Sequence, residues 1–88
     1  MAKTHVDGLT LYATRWCPFC IRVFRTLDTL GLEVDIADPT RDPAARDALW
    51  QARGRGTVPV LRIQHPDGEV EWMPESADIV TWLRAHHG

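Results

Sequence analysis

Apolar and polar positions alternate with two different periods along the chain, and the changes of period divide it into strands and helices. The stretch LTLYA, from Leu9 to Ala13, is rich in β-favouring residues and predicts a first strand. After Pro18 the apolar side chains recur every three or four residues as far as Leu30, which predicts a helix. Gly31 follows at the place where a helix C-cap belongs.

The same change of period occurs again in the middle of the chain. LEVDI, from Leu32 to Ile36, predicts a second strand, and a right-handed crossover through the first helix would place it parallel to the first strand. Asp42 and Pro43 are the residue types of an N-cap and a first helical position, so a second helix begins there. RGRG, from Arg53 to Gly56, ends that helix. Its predicted inner face consists of Ala45, Ala48, Leu49 and Ala52.

The last third of the chain predicts a β-hairpin followed by a helix. VLRI (Val60 to Ile63) and EVEWM (Glu69 to Met73) are strand-like, and Pro66-Asp67-Gly68 between them is a turn signal. The last helix starts near Ser76 and is predicted to bury Ile79, Val80 and Leu83. The predicted fold class is therefore α/β, with element order β-α-β-α-β-β-α, a four-stranded mixed sheet and helices on both of its faces.

Composition narrows the classes of function. The 88 residues are 44% hydrophobic and include four tryptophans, so we expect one packed domain over residues 1–88. The formal net charge is −2 with acids and bases interspersed, which gives no electrostatic reason to expect binding to nucleic acid or to a membrane. Because no stretch resembles a membrane span or a signal peptide, we expect a cytoplasmic protein.

Cys17 and Cys20 are the only cysteines, and three kinds of site compete to explain them. A zinc site usually needs four ligands in two pairs, and the four histidines do not repeat the Cys-x-x-Cys spacing. A structural disulfide is rare in a reducing compartment. Two inert, buried thiols are the plain structural alternative. The surroundings of the pair favour a reversible redox site.

The predicted helix makes the two cysteines unequal. Pro18 suits the first turn, so Cys17 lies at the helix N-terminus, where unpaired N–H groups and the helix dipole stabilise a thiolate. Arg15 adds positive charge nearby. Cys20 lies one turn inside the helix and is expected to be more buried. We therefore predict that Cys17 attacks a disulfide and that Cys20 completes the exchange.

Three motifs, in the expected order and on the expected elements, resemble glutaredoxin, a family with the thioredoxin fold. WCPFC is similar to the glutaredoxin dithiol motif, and GRGTVPVL resembles the family's Gly-Arg-x-Thr-Val-Pro stretch. PESADIVTWL resembles the Glu-Ser element of glutathione-transferase N-terminal domains, which share the fold. YATRWC is also similar to mycoredoxins, which use mycothiol. The resemblance extends over nearly the whole chain.

The resemblance implies a thiol–disulfide oxidoreductase that uses glutathione as a co-substrate and holds no metal or tightly bound cofactor. Cys17 would take the glutathionyl group from a mixed disulfide, and Cys20 would release a reduced protein from its disulfide with Cys17. The implied partners are glutathione and disulfide-bonded or glutathionylated proteins, and we expect the chain to act as a monomer.

The resemblance also assigns ligand contacts around a proline. The stretch is Thr57-Val58-Pro59, and the resemblance implies that the Val58–Pro59 peptide bond is cis. Pro59 would then face the cysteines, and the Val58 backbone would turn toward an extended ligand. A strand-edge proline is the alternative. Arg55 would pair with the glycine carboxylate of glutathione, unless it is a solvated loop residue. Arg15 stands beside the position where glutaredoxins usually carry a lysine, and it could substitute for that lysine.

The remaining implied contacts lie at the start of the last helix. Ser76 would bind the γ-glutamyl carboxylate and Glu75 the amine, although Ser76 is equally suited to be an ordinary helix N-cap. Two further functions stay open. A glutathione-ligated iron–sulfur carrier usually has a serine at the second cysteine position or small residues between the cysteines, which Cys20 and Pro18 do not match. A glutathione-conjugating transferase would need a second, helical domain.

Overall fold

The computed structural model describes residues 3–88, and its elements follow the predicted order. The strands are β1 (Thr4–Tyr12), β2 (Leu32–Ala37), β3 (Val60–Gln64) and β4 (Val70–Met73). The helices are α1 (Pro18–Leu30), α2 (Pro43–Arg53) and α3 (Ser76–His87). The strand order is β2-β1-β3-β4, in which β1 and β2 are parallel and the other neighbours are antiparallel. This arrangement confirms the predicted thioredoxin-like fold.

The two faces of the sheet carry separate hydrophobic clusters. Successive residues of β1 point to opposite faces, so Leu11 packs with α1 and α3 whereas Tyr12 packs with α2. The larger cluster contains the predicted inner residues of α3, which are Ile79, Val80 and Leu83. The smaller cluster lies under α2 and contains Leu49, which is fully buried. The helices therefore cover both faces of the sheet, as predicted.

Local sequence signals account for most of the element boundaries. Gly31 ends α1 in the left-handed region, at φ 68°, and its amide donates to carbonyl oxygens in the last turn. Asp42 caps α2 because its side chain accepts the Ala44 N–H at 3.0 Å, and Pro43 is the first helical residue. These predicted caps are confirmed.

Two predicted details of the elements are wrong. Strand β1 begins at Thr4 rather than Leu9, because a change of register between His5 and Thr10 lets it continue through Asp7-Gly8. Gly8 has φ 85°, and a Cβ there would lie 2.9 Å from the Gln64 carbonyl oxygen, so only glycine fits without strain. Ala52 is exposed rather than inner, since Arg53 takes the half-buried position in the last turn of α2.

Within residues 3–88 no helix has both the length and the apolar character needed to cross a bilayer.

Candidate active site

Cys17 immediately precedes α1. It is the N-cap, with extended backbone at φ −84° and ψ 123°, the conformation that a following proline favours. The Ile21 N–H donates to the Cys17 carbonyl at 3.0 Å, and Pro18 follows as the first helical residue. The Cys17 side chain is half-buried and forms no cap hydrogen bond within the described part of the chain. Its sulfur therefore lies at the positive end of α1.

Cys20 has a different environment one turn further along. Its side chain is fully buried in the larger hydrophobic cluster. Burial raises the pKa of Cys20 from its ordinary value of 9.0 to about 11; the neighbouring Cys17 also raises this pKa, and hydrogen bonds from Thr14 oppose the rise. Cys20 is therefore a protonated thiol at neutral pH. The predicted inequality of the two environments is present in the structure, and both residues are free thiols.

The loop before β3 faces the cysteine pair. The Val58–Pro59 peptide bond is cis, as the sequence predicts. Pro59 is buried and Val58 is half-buried, and Val58 packs against both hydrophobic clusters. The Val58 carbonyl oxygen lies 4.0 Å from Cys17 Sγ, so this loop forms one wall beside the half-buried Cys17 side chain.

A groove of about 280 Å³ opens next to this wall. It is formed where the loop before β3 meets the start of α3, and the structure brings most of the predicted ligand contacts together in it. These are Arg55, Thr57, Val58, Pro59, Glu75 and Ser76. We refer to it below as the ligand groove.

Arg15 is the predicted contact that lies elsewhere. It lines a larger cavity of about 510 Å³ between α1 and the edge strand β2, together with Asp38 and Arg41. Hydrogen bonding from Thr40 and the positive charges of Arg41 and Arg15 lower the pKa of the Asp38 carboxyl. Arg15 thus faces an acid at the end of β2, in a cavity that shares no lining residue with the ligand groove.

Helix α3 begins at Ser76, as predicted, but Ser76 is not its N-cap. The Ile79 N–H donates to the Glu75 carbonyl at 2.9 Å, so Glu75 and not Ser76 is the N-cap, and Ser76 is the first helical residue. Among the described residues, no side-chain oxygen accepts a cap hydrogen bond from this turn. The first amide donors of α3 therefore stay free beside the ligand groove, where they suit an anion.

Three residues of the ligand groove were missed by the sequence analysis. Phe19, Arg53 and Pro74 also line it. Within residues 3–88, the buried Nε of Arg53 has no hydrogen-bond partner, which is an unfavourable arrangement. RGRG indicated only the end of α2, because a sequence does not show which arginine turns inward. Phe19 is 62% exposed and Trp16 is 84% exposed, so Cys17 lies between two accessible aromatic side chains.

Over the described residues, no group of three or more His, Cys, Asp or Glu side chains is arranged to hold a metal ion.

Comparison with known proteins places the chain among redox proteins of this fold. Residues 11–88 match the family described as glutathione S-transferase, N-terminal domain. The chain is 31% identical to mycoredoxin 1 of Corynebacterium glutamicum over 81 residues, which cover 91% of this chain and 98% of that protein. It is 33% identical to a glutaredoxin of Pseudomonas aeruginosa over 55 residues, which cover 62% of this chain and 66% of that protein.

A solved structure has a similar fold over most of this chain. The maleylacetoacetate isomerase of Anaeromyxobacter dehalogenans, with dicarboxyethyl glutathione and citrate in its active site, superposes with a TM-score of 0.67 at 27% identity. The superposition covers 91% of this chain but only 37% of that enzyme. This chain thus matches only one part of that longer enzyme.

Proposed function

We propose that glutathione is the reductant of this chain, which belongs to the glutathione S-transferase N-terminal domain family. Its similarity to mycoredoxin 1 and to a glutaredoxin identifies it as a thiol–disulfide oxidoreductase. The proposed substrates are protein disulfides and mixed disulfides between proteins and glutathione. Cys17 and Cys20 carry out the reaction, and no tightly bound cofactor takes part.

The reaction begins at Cys17, because its sulfur is the accessible one. The Cys17 thiolate forms a new S–S bond with one sulfur of the substrate, and the other substrate sulfur leaves as a thiolate and takes up a proton. If Cys17 has taken a glutathionyl group, a second glutathione attacks that sulfur and oxidised glutathione leaves. If Cys17 holds a protein, Cys20 attacks Cys17, the reduced protein leaves and a Cys17–Cys20 disulfide remains.

The observation that carries the choice of glutathione is the uncapped start of α3 in the ligand groove. Free amides and the Ser76 hydroxyl suit an α-carboxylate, and the Glu75 carboxylate suits the neighbouring amine, so this corner fits an amino-acid head group such as γ-glutamyl. Arg53 and Arg55 line the same groove and add positive charge for the carboxylate at the other end of glutathione.

The exposed aromatic side chains support protein substrates. Trp16 and Phe19 are mostly exposed on either side of Cys17, and accessible apolar surface of this kind is typical of contact sites for other proteins. Both cysteines and the ligand groove belong to one chain, so the proposed reaction requires only a monomer. We place it in the cytoplasm, because a dithiol that a small thiol must reduce again suits a reducing compartment.

Mycothiol is the second candidate reductant, because the likeness to mycoredoxin 1 extends over 98% of that protein. Mycothiol ends in a sugar–inositol unit and has no amino-acid head group for the start of α3. Paired kinetics decide between the two thiols, with each supplied at the same concentration to reduce the same mixed disulfide.

We expect glutathione to be the better reductant by about tenfold, since a charge-assisted hydrogen bond contributes roughly 1.5–3 kcal/mol. A clear preference for mycothiol would contradict the proposal and assign the chain to the mycoredoxins. An anaerobic preparation should also be colourless, and an absorbing iron–sulfur chromophore would instead favour the cluster-carrier function.

A further inference from the structure

A second groove, of about 470 Å³, lies between α1 and α3 on the outer side of these helices. It shares no lining residue with the ligand groove. Its apolar floor is formed by Ile21 and Val80, and three arginines, Arg22, Arg25 and Arg84, stand along its sides. We call it the basic groove.

The basic groove concentrates positive charge on a chain whose net charge is −2. All three arginines are exposed, and none of them belongs to an ion pair formed among residues 3–88. Of the described acids, none lines the groove. Asp28 on α1 pairs with Lys3 instead and lines the cavity at the β2 edge. Like charges held together without a counter-charge suit an anionic partner.

The groove begins one residue after Cys17 along the chain. Pro18, which follows Cys17 directly, lines it, and the lining continues along α1 to Thr29. The rise from Pro18 to Thr29 is about 16 Å at 1.5 Å per residue. An extended peptide covers that length with about five residues. A polypeptide whose cysteine reacts at Cys17 can therefore place its next few residues beside the three arginines.

We propose that the basic groove binds an acidic segment of the protein whose disulfide Cys17 attacks, a substrate preference that rests on the proposed function. The preferred substrate carries Asp or Glu about two to five residues from its reacting cysteine. A peptide fits better than nucleic acid, because single-stranded nucleic acid is usually held by aromatic stacking and no aromatic side chain of the described chain lines this groove.

The test uses reduced protein and symmetrical peptide disulfides, so no small thiol is needed. Cys17 forms a disulfide with one peptide copy and releases the other as a thiol. Cys20 then attacks Cys17 and releases the second copy, so that one dithiol is oxidised and one disulfide is reduced. Two acidic peptides carry glutamates at the second to fifth residues, one after and one before the cysteine. The matched neutral peptides carry glutamine at those positions.

We expect at least one acidic peptide to react about tenfold faster than its neutral counterpart at low ionic strength, the usual size of electrostatic steering. The advantage should shrink as salt is raised toward about 0.5 M, where the Debye length is only a few ångströms. Arg25→Glu/Arg84→Glu should remove or invert it, and Arg25→Gln/Arg84→Gln should reduce it. Reduction of the neutral peptides by each variant serves as the folding control.

Arg41→Glu/Arg46→Glu is the matched control, because it changes the net charge equally at exposed residues outside the basic groove. It should keep the preference for the acidic peptide.

Equal rates for acidic and neutral peptides, or equal loss in both double Glu variants, would overturn the proposal while leaving the proposed function intact. Stronger competition by an RNA oligonucleotide than by a free acidic peptide would assign the groove to nucleic acid and overturn it too. If no peptide disulfide is reduced at all, the proposed function itself fails.

Discussion

The three helices differ at their N-termini. A side chain caps α2, whereas α1 and α3 have no side-chain cap. At the start of α2, the Asp42 carboxylate accepts the Ala44 N–H at 3.0 Å. Cys17 and Glu75 occupy the same position in α1 and α3, and neither side chain makes a cap hydrogen bond within the described chain. The first turn of every helix has amides without an intrahelical partner, so these two helices leave donors unused that α2 uses.

The capped helix start contributes to stability, and the two uncapped helix starts lie at the candidate active site. A side-chain cap stabilises a helix by about 0.5–2 kcal/mol, and α1 and α3 forgo it where the candidate active site lies. The free donors at α1 lie beside the sulfur of Cys17, and those at α3 lie beside the ligand groove. The comparison implies that changes at Cys17 or at Glu75-Ser76 affect activity, whereas a change at Asp42 affects stability.

The largest expected effect comes from removing the sulfur at the start of α1. Cys17→Ser should lower the rate of disulfide reduction by at least about a thousandfold, because no other accessible thiol replaces the nucleophile. Cys20→Ser should keep the reduction of glutathione mixed disulfides and lose the dithiol reduction of protein disulfides. Rates for both substrates and both variants test this expectation. Substantial activity of Cys17→Ser, or equal losses in the two variants for both substrates, would contradict the assignment of roles.

The second largest expected effect concerns Cys20, which is buried one helical turn after Cys17. The pKa of Cys20 is about 11 in the folded protein and about 9 when the chain unfolds, so between these pH values only the unfolded state loses the proton. The reduced protein should therefore lose roughly 2–3 kcal/mol of unfolding free energy as the pH rises from 9 to 11. Below pH 9 the contribution is fully present.

Urea unfolding of the reduced protein at several pH values measures this loss. Cys20→Ser provides the reference, because it should lack this part of the pH dependence while other groups titrate as before. Parallel pH profiles for the two proteins would show that burial does not hold the Cys20 proton.

The features that local sequence patterns predict correctly depend on neighbouring residues. Gly31 ends a helix and Asp42 begins one because each acts on amides or carbonyls within a few residues. Arg15 and Arg53 are different: one faces Asp38 across the end of β2, and the other turns its Nε into a buried place beside the ligand groove. These orientations depend on how distant segments pack, which no local pattern contains.

The third expected effect is at the start of α3. Glu75→Ala and Ser76→Ala should each weaken the use of glutathione by about tenfold, because a charge-assisted hydrogen bond contributes roughly 1.5–3 kcal/mol. Alkylation of Cys17 should hardly change, since that sulfur lies at another helix. Asp78→Ala is the control, because Asp78 is in the same first turn but does not line the ligand groove. Unchanged glutathione kinetics in both variants would remove the start of α3 from the ligand site.

The smallest expected effect tests the side-chain cap at the start of α2. Asp42→Ala removes the acceptor of the Ala44 N–H, so the unfolding free energy should fall by about 1 kcal/mol. The kinetics of disulfide reduction should stay unchanged in the folded fraction, because α2 begins on the face of the sheet opposite α1 and α3. Asp47→Ala is the matched control: it removes the same charge from an exposed site within α2, and its stability should change by less than about 0.5 kcal/mol. Chemical unfolding and steady-state rates of the two variants measure both quantities. If Asp42→Ala lowered activity as much as Glu75→Ala does, capping and ligand binding would not be separated between the helices.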